Sequence, residues 1–145
     1  MTKLTTIIAA IALNIPAITA AYAADAPAKL EVAFTGIEVQ KGAVMFGVYD
    51  SEEAYNKGAS INGARVVADK TDVATTIEGL PAGRYAIKAF HDIDGDGKMS
   101  SNPFGMPTEP FAFSNDARGA MGPATWADAA FDVEAGGTKI SITIK

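Results

Sequence analysis

Three aspartates alternate in the stretch HDIDGDGKMS, at Asp92, Asp94 and Asp96, and Gly97 follows them at once. Carboxylates at every second position, with glycines between, suit a hard cation. Ca²⁺ takes about six to eight oxygens, and the loop of a helix–loop–helix calcium site draws them from alternate positions, a backbone carbonyl and a final bidentate glutamate, with glycine at the sharp turn. Aligned on Asp92, the chain supplies the three aspartates, Gly97 and the carbonyl of Lys98, but Pro103 stands where the bidentate glutamate belongs. The preceding segment reads as a strand, so this is not the helix–loop–helix device. Further oxygens would have to come from chain that folds back, with Asn102, Glu109, Asn115 and Asp116 as candidates. The competing reading is a turn in which each aspartate accepts from nearby backbone N–H groups and keeps its charge in water. A calcium ion held by Asp92, Asp94, Asp96 and the Lys98 carbonyl would pin the loop rather than catalyse.

His91, the only histidine, opens the same loop. A lone imidazole beside acids can serve as a general base or a metal ligand. Strand parity puts it with Tyr85, Ile87 and Ala89, which favours an interior hydrogen bond tying loop to strand. There is no cysteine, and no serine sits in a nucleophile-elbow pattern. One histidine without cysteine makes no zinc site unless several carboxylates join it. No catalytic residue is assigned, and enzymatic activity is not expected. The alternative, a hydrolase using His91 and neighbouring carboxylates, needs those groups to meet in an open cleft. Arg118 has two readings, a fork for an anion or a loop pin paired with Asp116 or Asp128. Trp126, Phe104, Phe111 and Phe113 are either a stacking platform or, as expected here, core under a loop.

The elements that must position these residues are mostly strands. Leu30, Val32 and Phe34 alternate with polar or small residues, and Ile140, Ile142 and Ile144 do the same at the C-terminus. AVMFGVYD, residues 43–50, is apolar on both parities, as a strand covered on both faces should be. SEEAYNKG reads as a short helix with a Ser51 or Asp50 cap, acids in its first turn and Gly58 at its end. TWADAA permits one more helical turn. Residues 97–125 show neither period and read as a long ordered loop. The predicted class is all-β: an antiparallel Greek-key sandwich of about seven strands with one or two helical turns.

The first residues belong to a different phase of the protein's life. Lys3, an interrupted apolar run and the small residues of Ala21–Tyr22–Ala23 form a signal-peptide pattern, predicting export to the periplasm or beyond and cleavage after Ala23. The run is too short and broken to span a bilayer. A mobile leader over 24–28 and a single domain over 29–145 would follow. Losing Lys3 moves the formal charge from −5 to −6, an acidic balance that argues against nucleic acid and anionic membranes as partners.

Four segments in order carry a resemblance: GLPAGRYAIKAFHD, DIDGDGK, FGMPTEPFAFSNDARG and ADAAFDV. From about Leu30 to Lys145 the chain resembles the small exported bacterial proteins grouped as domain of unknown function 2141. That resemblance implies no activity. More distantly, GLPAGRYAIKAF is similar to a strand of transthyretin-like and carboxypeptidase-regulatory-like sandwiches, which implies fold alone. The expected role is an exported, monomeric binding or interaction module for a protein or a small ligand, with a loop that calcium can order.

Overall fold

The computed structural model describes residues 27–145. The expected signal peptide lies outside the described residues.

Strand β1 (Ala28–Thr35) buries Ala28, Leu30, Val32 and Phe34 and leaves the residues between them more accessible, as its alternation dictates. It starts one residue inside the expected leader: Ala28 is buried and pairs with Leu80. Strand β4 (Val73–Leu80) runs antiparallel along one side of β1, and β8 (Thr138–Thr143) lies along the other, giving the order β4-β1-β8. The β1–β8 pair is parallel, with Phe34 beside Ile142, and departs from the antiparallel expectation. The first and last strands of the described chain need no tight turn between them, so nothing forces them antiparallel.

The larger sheet has the order β3-β2-β5-β6, built from β3 (Asn62–Val67), β2 (Ala43–Tyr49), β5 (Gly83–Asp92) and β6 (Phe111–Phe113). Strand β7 (Phe131–Val133) also pairs with β5, at its opposite end from β6. β6 is the strand missing from the sequence reading, because three residues are too few to display a period of two. Between the two paired stretches of β5 lies Ile87, whose N–H is met by the buried Ser114 hydroxyl at 2.8 Å. That hydroxyl in turn donates to the Ala129 carbonyl at 2.5 Å, so one side chain joins β5 to the end of the second helix.

The two sheets face each other across a core in which Leu30, Val32 and Phe34 meet Val44, Phe46 and Ile87. The Phe34 and Phe46 rings lie 5.2 Å apart between centroids. A fully buried side chain of that size contributes about 1.5–3 kcal/mol through lost apolar hydration. The outer face of the larger sheet carries a second cluster, Tyr49, Ala86 and Phe113, covered by Tyr55 of helix α1 (Glu52–Lys57) and by Ala129 of α2 (Trp126–Ala129). α1 forms as its sequence predicts, with Ser51 accepting from the Ala54 amide and Gly58 left-handed at its end. Thr125 caps α2. No helix among the described residues is long and apolar enough to cross a membrane.

Tyr55 is buried and donates its hydroxyl to the Ala124 carbonyl at 2.9 Å. Burial, with smaller contributions from Tyr49 and Asp128, pushes its pKa from 10.0 up to about 12. The fold therefore favours the neutral phenol, and this contribution is complete below the unfolded value of 10.0 and vanishes as pH rises through about 12. The urea midpoint should fall across that window, and fall less in Tyr55→Phe. Equal slopes in the two proteins would show that Tyr55 is not the group responsible.

Candidate functional site

β5 continues through His91 to Asp92, so the first aspartate of the loop is the last residue of a central strand, opposite Ala43. Asp92 is 1% exposed, whereas Asp94 and Asp96 face solvent. The Asp92 carboxylate accepts from the Gly95 amide at 2.8 Å and the Gly97 amide at 3.1 Å. Asp94 accepts from Asp96 at 3.1 Å, and Asp96 accepts from Lys98 at 2.7 Å. Gly95 and Gly97 make the bend with φ of +82° and +78°, a region that costs glycine little. One carboxylate oxygen from each aspartate lies within 4.8 Å of the other two. The three side chains thus converge as their spacing predicts, and each is also engaged as a turn acceptor. Lys98 enters these bonds through its amide.

The chain that returns to this loop is anchored by Glu109. Its carboxylate is buried and accepts from the Ile93 amide at 2.8 Å and the Ser100 amide at 3.0 Å, clasping both ends of the loop. The His91 amide donates to the Pro110 carbonyl at 2.8 Å beside it. The other three candidate ligands are committed elsewhere. Asn102 holds its own turn by accepting from Phe104 and Met106, each at 3.0 Å. Asn115 donates to the Asp128 and Ala130 carbonyls, and Asp116 accepts from the amide and hydroxyl of Thr143. These bonds hold Asn115 and Asp116 at φ of 60° and 50°, where side chains are normally strained.

His91 is buried, with Nε2 2.7 Å from the Lys41 carbonyl. A carbonyl can only accept, so Nε2 carries the hydrogen. The imidazole ties β5 to the chain entering β2, the structural bond its parity suggests. Arg118 is exposed and makes no ion pair with Asp116 or Asp128 among the described residues, since Asp116 binds Thr143 and Asp128 binds Thr125. The loop pin expected of Arg118 is supplied by the acids themselves. The aromatic platform is also split. Trp126 stacks edge-on against Tyr55 at 5.9 Å and Phe113 is buried, but Phe104 is 90% exposed. The expectation that Phe104 fills core fails because the turn held by Asn102 points the segment outward.

Beside the acid loop the outer face of the larger sheet is open. A groove of about 980 Å³ runs over β2, β5 and β6, with the exposed Met106 and Met121 at its rim. All four methionines among the described residues line it: Met45, Met99, Met106 and Met121. Methionine is flexible and polarizable, and such surfaces adapt to apolar partners. Sequence reading missed this site because its methionines lie far apart along the chain and only the fold gathers them.

Residues 32–141 match the family described as "Uncharacterized protein conserved in bacteria (DUF2141)". The chain belongs to this family. The match runs from the middle of β1 through most of β8, so it takes in strands of both sheets, the acid loop and the groove. No curated protein and no solved structure matches this DUF2141 chain.

Proposed function

We propose that this DUF2141 protein is an exported binding module that receives a small apolar ligand in the methionine-lined groove, next to a loop that calcium orders. The observation that carries the reading is the convergence of four methionines on one open sheet face. Pockets for small molecules are typically concave, largely apolar and about 300–1,000 Å³ in volume. The N-terminal pattern supports export. Mass spectrometry of the protein recovered from the cell envelope or medium should find Ala24, or a residue within one or two of it, at the N-terminus. An intact Met1 there would count against cleavage.

Calcium enters through the acid loop. Three carboxylates within 4.8 Å repel one another, and a divalent ion between them relieves that repulsion. Sites of this kind in exported proteins bind at about 10⁻⁴–10⁻³ M. A ligand at a hundredfold excess over its Kd stabilises the folded state by about 2.7 kcal/mol. The melting temperature should therefore rise in millimolar calcium and return on chelation. Asp94→Ala combined with Asp96→Ala should remove the response and leave the sandwich folded, because both side chains are exposed. A wild-type melting curve indifferent to calcium and to chelator would leave the loop as a hydrogen-bonded turn only.

A further inference from the structure

The alternating residues of β2 and β5 make the outer face of the larger sheet largely apolar, yet α1 and α2 cover only one end of it. Two cross-strand rows line the groove, the second reaching the cluster that the helices cover. Met45, Phe90 and Phe111 form the first, and Gly47, Lys88 and Phe113 the second. Among the described residues, Lys88 is the one charged residue lining the groove.

The surroundings of Lys88 are incomplete for a cation. Nζ sits 4.0 Å from the Tyr55 ring centre and 5.1 Å from that of Tyr49, and donates to the Tyr55 carbonyl at 2.6 Å. Those contacts hold the head group in place. An ammonium has three donors, and no carboxylate pairs with this one among the described residues. Partial burial already lowers its pKa. A half-desolvated cation without a counter-charge, at the wall of an apolar trough, favours an anion that brings its own apolar body. The chain's net negative charge gives no general attraction for anions, so the selection is local to Lys88.

We propose that the groove binds a free single-chain carboxylic amphiphile, a fatty acid, with its carboxylate at Lys88 and its chain over Met45, Phe90 and the methionine rims. This rests on the reading of the groove as the binding site, and the two are separable by experiment. Isothermal titration of the purified protein would compare dodecanoate, dodecanol and dodecyltrimethylammonium, each below its micellar concentration. Dodecanoate should bind at least about tenfold more tightly than dodecanol, the scale of one charge-assisted contact, and the cationic probe most weakly. Lys88→Gln should abolish the preference for dodecanoate over dodecanol, Lys88→Arg should keep it, and Phe90→Asp should weaken both, with melting curves confirming each fold. The head-group comparison on the wild type stands even if a variant fails to fold. Equal binding of dodecanoate and dodecanol would overturn the inference while leaving the groove as a binding site. Binding of none of the probes would overturn both. A preference that survives in folded Lys88→Gln, or dodecanoate binding unaffected in folded Phe90→Asp, would place the ligand elsewhere and also overturn it.

Discussion

Gly42→Ala should lower the unfolding free energy by about 3 kcal/mol or more. Two terms add. Gly42 has φ of +70°, where an L side chain costs about 1–2 kcal/mol. An added Cβ would also overlap the Asp92 carbonyl and press on the Ile93 Cα, both backbone atoms at the root of the acid loop. Neither can move without disturbing the β2–β5 pairing of Ala43 with Asp92. Gly58→Ala is the control. It has the same φ of +70° but open space around it, so it should show only the conformational cost, about 1–2 kcal/mol. Urea titration of both variants measures the difference. Equal losses would mean that the close approach at Gly42 is not what requires glycine there. If calcium binds the three aspartates, Gly42→Ala should also weaken that response, because Asp92 would be displaced.

Glu109→Ala should cost about 2–4 kcal/mol and loosen the acid loop while the two sheets stay paired. Among the described residues the carboxylate is the only side-chain partner of the Ile93 and Ser100 amides, and it lies 16 and nine residues from them in sequence. Removing it leaves two N–H groups without acceptors at the start and end of the loop. Their hydrogen exchange should quicken markedly, while amides of the β1–β4 ladder should slow or quicken only with global stability. Unchanged protection at Ile93 and Ser100 would assign the clasp to the neighbouring His91–Pro110 bond instead. If calcium binds the three aspartates, saturating calcium should recover part of the lost stability, since the ion then replaces the clasp in holding the loop.

The bond pattern around the acid loop also bears on catalysis. A hydrolase built on His91 requires the imidazole to reach a cleft, and here its Nε2 is turned to Lys41 in the interior. The open space lies on the other face of the same strand, over Lys88 and Phe90. Neighbouring residues of β5 therefore have opposite duties. Odd-numbered Tyr85, Ile87, Ala89 and His91 close the core side, and even-numbered Lys88 and Phe90 line the groove.

Strands with a sustained period are legible in the residue order alone. In β1 and β8 every second residue is apolar, and burial follows that pattern because successive side chains point to opposite faces. The caps of α1 are legible too, because Ser51 and Gly58 act on backbone groups within a few residues. The convergence of Asp92, Asp94 and Asp96 was legible for the same reason, as glycines between close-set acids bend the chain locally. Partnerships across long separations come only from packing. The parallel β1–β8 pair, the clasp of Glu109, the Ser114 link between Ile87 and Ala129 and the gathering of four methionines join residues whose order in the chain carries no period. Strand β2 shows the boundary between the two. Its sequence demands apolar surroundings on both faces, but only the placement of α1 and α2 settles that part of the outer face is covered and the rest left as a groove. Local patterns report which way a side chain points, and which surface meets it depends on how the sheets and loops pack.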